Sequence, residues 1–207
     1  TQAALLEAMQ EKRVTVQGKT YQLEPPFFVF ATQNPIELEG TYPLPEAQLD
    51  RFMFEVVMDY SPEEDEMAIV RSTTTVPPEA IVPVISRDEI IAFQQVVRRV
   101  PVADAVVRYA VKLVRATRPG DDSPDFVRQW LSYGASVRAA QALILGGKAR
   151  SLLQGRAHVT FADIKSLAKP VLRHRLLRNF QAQSERITAD MLVDRVLEAV
   201  PLPKSGL

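Results

Sequence analysis

The residues of this chain that could take part in chemistry begin with Asn34, which follows a short apolar run. Residues 27–31 read Phe-Phe-Val-Phe-Ala, and a continuous apolar run of this length is typical of a buried strand in a parallel sheet. Open α/β sheets bind ligands beyond the carboxyl ends of their strands. An uncharged amide there can orient an attacking water and bind a phosphate oxygen. The alternative is a simple turn over 32–35, in which Asn34 bonds to its own backbone.

Arg51 is the second candidate and lies 17 residues after Asn34, within the sequence Leu-Asp-Arg-Phe. Phosphoryl transfer leaves charge on phosphate oxygens, and a guanidinium offered by a neighbouring subunit can stabilise that charge. The more common role of an arginine is an ion pair on the surface or within its own chain, here with Asp50 or Glu46.

Arg138 is the third candidate, in the first turn of a helix for which Ser136 is the predicted N-cap. A positive charge at this end opposes the helix dipole, so the position is unfavourable unless another group holds the arginine there. A phosphate group would serve that purpose. The alternative is an arginine that only contacts solvent.

Two further sites could contact a partner. Lys19 lies at the turn of a predicted β-hairpin over residues 14–23, where it either contacts a substrate or only makes the turn more soluble. A basic cluster at residues 173–175 and Arg178 is expected to be a solvated surface, because on a helix these residues spread over more than one face. A subunit contact is the functional alternative.

The elements that must position these residues change in character near residue 60. Before it, the sequence predicts the hairpin and two buried strands, at 27–31 and 52–58. After it, capping signals predict a series of helices, with Ser61, Ser86 and Thr160 as N-caps and with Glu64, Glu89 and Asp163 three residues after them. The predicted helices include 137–153, 161–177 and 189–199, and Pro170 is expected to kink or divide the middle one. The predicted division is therefore an α/β part at 1–60 and an all-α part at 61–207.

Composition limits the possible functions. The 207 residues contain no cysteine, which excludes disulfides and thiolate metal sites and fits a reducing cytoplasm. Their net charge is zero, so the chain as a whole has no positive charge with which to bind nucleic acid. No run of residues is long and apolar enough for a membrane span, and no signal peptide opens the chain. The two histidines, His158 and His174, lack the spacing of metal ligands, so no metal site is predicted.

These motifs together resemble the AAA+ ATPases, most closely their MoxR-like branch. Segment 27–35 resembles the sensor-1 strand, and 44–52 resembles the arginine-finger segment. Residues 134–140, Gly-Ala-Ser-Val-Arg-Ala-Ala, resemble the sensor-2 helix of the lid, although MoxR-like proteins often carry proline where Val137 stands. The hairpin resembles the one inserted before sensor 1 in this clade. The resemblance covers most of the chain.

The resemblance implies a fold class and a set of roles. The fold would be the second half of a P-loop AAA+ core, with hairpin and two strands, followed by a helical lid. Asn34 would sense the γ-phosphate, Arg51 would reach the neighbouring subunit's ATP, and Arg138 would couple the lid to the phosphates. The cofactors would be ATP and Mg²⁺. The implied partners are further subunits in a ring, a hexamer, together with client proteins and a von Willebrand factor A-domain protein.

Neither a phosphate loop of the form GxxxxGK[ST] nor any other Walker A sequence occurs in the chain. We therefore expect a fragment whose Walker A and Walker B motifs lie upstream, and which is inactive alone. In the AAA+ sheet, the strand bearing Walker A lies between the two strands predicted here. Without it, residues 1–60 are expected to be rearranged, disordered or paired with another chain, whereas 61–207 can fold alone.

Two alternatives remain open at the level of the sequence. One is a DNA-directed or chelatase-type motor of the same clade, which a strongly basic hairpin would favour and the single Lys19 does not. The other is a non-enzymatic helical interaction module with only the shape of a lid.

Overall fold

A computed structural model describes residues 2–33, 44–75 and 81–203 of the chain. Asn34 and the rest of the segment 34–43 lie outside the described residues. The turn alternative for segment 32–35 is therefore not resolved by the structure.

The first part of the chain contains a helix, a hairpin and a short second helix. These are α1 (Gln2–Glu11), β1 (Arg13–Val16), β2 (Lys19–Gln22) and α2 (Glu46–Leu49). β1 pairs with β2 in antiparallel register, Val14 opposite Tyr21. The turn contains Gly18 at φ +77°, a left-handed conformation that glycine adopts without steric cost. The hairpin predicted at 14–23 is confirmed.

The two apolar runs do not form the strands predicted for them. Neither 27–31 nor 52–58 has a strand partner among the described residues. The Phe30 side chain is 92% exposed and that of Met58 is 88% exposed. The physical reason is that a strand exists only through the hydrogen bonds of a neighbour, and apolar composition does not supply one.

Helices account for most of the remaining chain. They are α3 (Glu63–Thr74), α4 (Arg87–Arg99), α5 (Asp104–Ala116), α6 (Asp125–Trp130), α7 (Val137–Leu153), α8 (Phe161–Leu172), α9 (Phe180–Ser184) and α10 (Ala189–Ala199). A 3₁₀ turn, Arg173–Arg175, follows α8 directly. No helix within the described ranges is both long and apolar enough to cross a membrane.

The hydrophobic core lies among α5, α7, α8 and α10. Its fully buried side chains include Tyr109, Leu113, Leu143, Ile164 and Leu192. The rings of Tyr109 and Phe161 meet edge to face with centroids 5.5 Å apart. On α7, a Cβ at Gly147 would lie 2.9 Å from the Val159 side chain, so glycine permits the close approach of the segment that precedes α8. This core holds the starts of α7 and α8 in place.

The helical part departs from the sequence prediction in two respects. It is not all-α, because β3 (Leu131–Tyr133) pairs with β4 (Leu177–Arg178) across a bulged, antiparallel register. The helix predicted at 161–177 ends at Leu172, and Pro170 lies inside its last turn. The 3₁₀ turn and β4 take the residues that follow.

Candidate functional site

The Asp50 carboxylate, at the end of α2, binds side chains from the start of α7. The Ser136 hydroxyl donates to it at 2.9 and 3.0 Å from the two oxygens. The Arg138 guanidinium donates from Nη1 to Oδ2 at 3.1 Å. Ser136 also accepts the backbone N–H of Arg138 as the N-cap of α7. Asp50 therefore supplies the group that holds Arg138 in an otherwise unfavourable first turn.

The loop before α7 fixes Ser136 and Arg138 at this place. The Ala135 N–H donates to the Thr117 hydroxyl at 2.9 Å, and the Ala135 carbonyl accepts from Arg118 at 2.9 Å. Gly134 packs so closely on the end of α5 that a Cβ there would lie 2.2 Å from the Thr117 carbonyl oxygen. Only glycine fits at this distance, so the position of the loop relative to the end of α5 is tightly fixed.

Arg175 binds Asp50 from the opposite side and is buried, with its side chain 2% exposed. Its Nε donates to Oδ1 of Asp50 at 3.0 Å, and its Nη2 donates to the Asp50 carbonyl at 3.0 Å. The same guanidinium reaches the carbonyls of Phe52 at 2.6 Å and Met53 at 3.3 Å, and also that of Val171. One planar fork of donors thus holds the backbone of residues 50–53.

The electrostatics of the site favour an ionised Asp50. Burial alone would raise the pKa of Asp50, but hydrogen bonds from Ser136, Arg138 and Arg175 outweigh it and place the pKa below its ordinary value. Burial lowers the pKa of Arg175, and Asp50 opposes that change. Because the ordinary pKa of arginine lies far above neutral pH, Arg175 remains charged. The two groups form an ion pair with its donors and acceptors well matched.

His174 and Arg173 extend this contact along the chain. His174 Nε2 lies 3.1 Å from the Phe52 carbonyl, which requires the ring to donate from that nitrogen. Its Nδ1 is buried without a hydrogen-bond partner, 3.8 Å from the Glu55 carboxylate. Burial and the neighbouring Arg175 lower the pKa of His174 to about 4, so the ring is neutral at pH 7. Arg173 reaches the Glu55 carbonyl at 3.4 Å.

We call segment 50–55, together with Ser136, Arg138 and residues 173–175 that bind it, the Asp50 clamp. The expectation that the basic cluster is a solvated surface is wrong for its first three residues. Arg175 is buried, the His174 side chain is 3% exposed, and Arg173 forms a two-pronged pair with Asp190 at 2.9 and 3.0 Å. Pro170 contributes to the same contact, because its carbonyl accepts the Glu55 N–H at 2.8 Å. The cluster faces inward because segment 50–55 covers it.

Comparisons with known proteins match two separate parts of the chain. Residues 1–54 match the "ATPase family associated with various cellular activities (AAA)", and residues 126–196 match the "AAA lid domain". The chain is 39% identical over 204 residues to "Chaperone MoxR1" of Mycobacterium tuberculosis, covering 98% of this chain and 54% of that protein. The chain is similar over nearly its whole length to MoxR-like AAA+ proteins, and these matches support a MoxR-like AAA+ fragment.

Other relatives agree with this assignment. "Protein MoxR" of Paracoccus denitrificans is 28% identical over 221 residues, 97% of this chain and 63% of that protein. A crystal structure described as a "putative ATPase" from Cytophaga hutchinsonii superposes with a TM-score of 0.90 at 37% identity, covering 98% of this chain and 62% of that one. The chain thus spans 54–63% of the length of these relatives.

Within this MoxR-like chain, the Asp50 clamp joins the two matched regions. Asp50 and Arg51 lie in the AAA match, whereas Ser136, Arg138 and Arg175 lie in the lid match. The resemblance pointed to Arg51 and Arg138 but not to the carboxylate between them. The only sequence signal for Asp50 was its place beside Arg51, and for Arg175 its place in a basic cluster.

Arg51 itself lies next to α1. The side-chain amide of Gln10 contacts its guanidinium, with the amide oxygen suited to accept from Nε at 2.9 Å. Neither Asp50 nor Glu46 forms the ion pair with Arg51 that the alternative interpretation required; within the described residues no carboxylate comes within 4 Å of it. Arg51 is held by its backbone and by an uncharged amide, so its positive charge is not neutralised by a carboxylate of the described part of the chain.

The described residues fit part of a nucleotide site. Arg51 and Arg138 offer planar guanidinium donors, the groups best suited to phosphate oxygens. In contrast, residues 2–33, 44–75 and 81–203 contain no group of three or more acidic or histidine side chains placed to hold a metal ion. The two guanidinium groups are therefore of a kind that suits phosphate oxygens.

Proposed function

We propose that this chain is the sensing and lid portion of an ATPase that uses ATP hydrolysis to remodel or activate client proteins. The observation that carries the proposal is the direct bond between Asp50, next to Arg51, and Arg138 at the start of α7, at 3.1 Å. It connects the segment that carries Arg51 to Arg138, and these are the two arginines to which the family resemblance gives roles in binding ATP. Similarity to MoxR-like AAA+ proteins supports the reaction.

Each candidate residue has a distinct role in this proposal. Arg138 would bind the phosphates of ATP held by its own subunit, since its side chain is 49% exposed and only one of its terminal nitrogens is engaged. Arg51 would reach the ATP of the neighbouring subunit. Asn34 would orient the attacking water. When bound, Mg²⁺ would neutralise phosphate charge, held by residues outside this sequence.

The proposed assembly follows from the role of Arg51. An arginine that acts on a neighbour's nucleotide requires a contact between subunits, and head-to-tail contacts of this kind form a ring when they close. We propose such a ring, a hexamer, for this chain. The client proteins, with a von Willebrand factor A-domain partner, would bind this ring in the cytoplasm. The name "Chaperone MoxR1" of the mycobacterial relative supports a chaperone-like role. A DNA-directed motor gains no support from the basic cluster, because residues 173–175 face inward.

The test is magnesium-dependent ATP hydrolysis by the full-length protein that contains this chain, with Arg51→Ala measured alongside. Removal of an arginine finger lowers kcat by about a thousandfold or more in related chemistry, and we expect a loss of that order. Arg128→Ala is the matched control, because Arg128 bonds only to Asp125 and to the loop before α6 in the described structure. It should keep the activity of the unmodified protein.

A mixture of subunits tests whether Arg51 acts between subunits. Arg51→Ala subunits keep an intact Arg138, and Arg138→Ala subunits keep an intact Arg51. Mixed rings therefore contain some complete sites and should regain a fraction of the turnover that each variant lacks alone. No hydrolysis by the unmodified full-length protein would overturn the proposed function and leave the helical interaction module.

A further inference from the structure

Asp50 is held by two arginines of very different accessibility. Arg175 is buried and cannot be reached by a ligand, because its side chain is 2% exposed and it binds four backbone carbonyls besides the carboxylate. Arg138 is half exposed and binds only the Asp50 carboxylate through its side chain. We call the bond between Asp50 and Arg175 the inner contact and the bond between Asp50 and Arg138 the outer contact. The inner contact is permanent, whereas in the outer contact Arg138 can exchange the Asp50 carboxylate for another anion.

The inner contact determines where Arg51 stands. Arg175 binds the carbonyls of Asp50, Phe52 and Met53, so the backbone on both sides of Arg51 is fixed by one side chain. The Phe52 N–H also closes the last turn of α2 by donating to Leu49 at 3.1 Å. A guanidinium that must reach a distant phosphate depends on such placement of its Cα, since a shift of about 1 Å can cost a hundredfold in rate.

The outer contact is weak enough to be displaced. An ion pair with one partner half exposed contributes little because water competes for both charges. A phosphate group carries more negative charge than a carboxylate and offers more acceptor oxygens to a guanidinium. Phosphate at Arg138 would therefore take the place of Asp50, and Asp50 would be left with Ser136 and Arg175 alone.

From these contacts we infer that Asp50 couples the two arginines of the ATPase, and that Arg175 is the positioning residue for Arg51. Binding of phosphate by Arg138 releases one side of the Asp50 carboxylate and thereby changes the hold on the backbone of Arg51. The nucleotide bound to one subunit would in this way control the position of the Arg51 side chain that the same subunit presents to the ATP of the next subunit. This inference rests on the proposed function and adds two residues to it.

The test is the Asp50→Asn variant of the full-length protein, with kcat and KM for ATP measured separately. Asparagine lacks the charge that competes for Arg138, so KM is expected to stay equal or to fall by up to about fivefold, the range of an exposed ion pair. Arg175 keeps its backbone carbonyls in this variant, but the carboxylate contacts that further restrain the segment bearing Arg51 are weakened, so kcat should fall about tenfold or more. Simple damage to the fold would not tighten KM while lowering kcat.

Asp163→Asn is the matched control for a buried aspartate. Asp163 is also bound by a hydroxyl and by arginine, but its hydrogen-bond partners lie at the start of α8 and in the segment before it, and its further ion pair is with Arg150 near the end of α7. This variant should be at least as destabilised as Asp50→Asn and yet keep kcat in its folded fraction. Arg175→Lys and Arg156→Lys form a second matched pair, because lysine keeps the charge but not the planar fork. Only Arg175→Lys should lower kcat.

Ser136→Gly keeps the test decisive if Asp50→Asn does not fold. Glycine is nearly as good an N-cap as serine, so α7 should persist while the hydroxyl contact with Asp50 is lost. A two- to fivefold fall in kcat with unchanged KM is expected, the effect of loosening one of the contacts that position Arg51.

The outcomes separate this inference from the proposed function. If the unmodified protein does not hydrolyse ATP, the proposed function fails and the inference falls with it. If it hydrolyses ATP and folded Asp50→Asn keeps its kcat, the inference alone is overturned. If Asp50→Asn and Arg138→Ala lower kcat in a strictly additive way, the two residues act independently and the coupling is likewise overturned.

Discussion

Two aspartates of this chain use the same chemistry for different purposes. Asp163 accepts from the Thr160 hydroxyl at 2.8 Å and from Arg156 at 2.6 and 2.9 Å. Asp50 accepts from a serine hydroxyl and from two arginines at similar distances. The partners of Asp163 named here lie within seven residues of it, whereas those of Asp50 lie 86 to 125 residues away. The Asp163 carboxylate caps the start of α8, whereas the Asp50 carboxylate joins two regions of the molecule.

The two sites also differ in how firmly they are enclosed. Asp163 is 1% exposed, and hydrogen bonds from Arg156 and Thr160 hold its pKa at about 2 against the effect of burial. Asp50 is 17% exposed, and one of its two arginines is half open to solvent. We conclude that Asp163 is a permanent structural contact, while the Asp50 clamp has a fixed inner side and a replaceable outer side.

The comparison predicts its largest effect on stability at Asp163. Asp163→Asn removes the charge that pairs with Arg156 and weakens the capping box of α8, so we expect a loss of about 3 kcal/mol in the free energy of unfolding. Denaturation by urea, followed by circular dichroism, measures it. Asp125→Asn is the control, because Asp125 pairs with Arg128 while 94% exposed and should change stability by less than about 0.5 kcal/mol. Equal losses at both positions would contradict the role of burial.

The second effect is a dependence of stability on pH that is caused by His174 of the Asp50 clamp. The pKa of His174 is lowered from 6.5 to about 4 by burial and by Arg175. The unfolded chain therefore takes up the proton first. The contribution of the neutral ring is complete above pH 6.5 and is lost as the pH falls towards 4, in total about 3 kcal/mol. Asp163 loses its contribution only between its ordinary pKa of 3.8 and about 2.

His174→Gln isolates this effect, because a glutamine amide can still donate to the Phe52 carbonyl but does not titrate. Its stability should change less than that of the unmodified chain between pH 7 and pH 4.5. Glu55 acts in the opposite direction, since burial raises its pKa, and it remains in both proteins. The difference between the two urea midpoints therefore reports on His174. Parallel curves would show that the ring is not buried as a neutral group.

The sequence predicted well the features that depend on residues close together in the chain, such as the capping box of Asp163. The capping box of Thr160 with Asp163 is confirmed, as is that of Ser86 with Glu89. The helices predicted at 137–153 and 189–199 have those bounds. These features depend on residues three or four positions apart, and such spacings can be read directly from a sequence. Serine as the cap at 61 was wrong, because Pro62 takes that place in α3.

Contacts between residues far apart in the chain, such as those of Asp50, could not be predicted in the same way. No spacing rule connects Asp50 with Arg175, and a basic cluster gives no sign of which residue will cover it. The apolar runs at 27–31 and 52–58 were read as strands from composition, although a strand needs a partner that composition does not name. The division at residue 60 and the roles of Asn34, Arg51 and Arg138 remain predictions.

The smallest of the three stability effects is expected at Asp50. In Asp50→Asn the amide oxygen can still accept one hydrogen bond, and Arg175 keeps its backbone carbonyls, so the buried guanidinium is not left without acceptors. We expect a loss of about 1–2 kcal/mol in the free energy of unfolding. Glu46→Gln is the control, an exposed carboxylate on the same short helix, with an expected change of less than about 0.5 kcal/mol.

The ratio of the losses at Asp50 and Asp163 decides how the Asp50 clamp should be regarded. A smaller loss at Asp50 agrees with a carboxylate whose outer partner can be exchanged for phosphate at little cost to the fold. A loss at Asp50 as large as that at Asp163 would mean that both of its sides are structural. Arg138 would then not be free to leave Asp50, because the same contact cannot both hold the fold together and yield to a ligand.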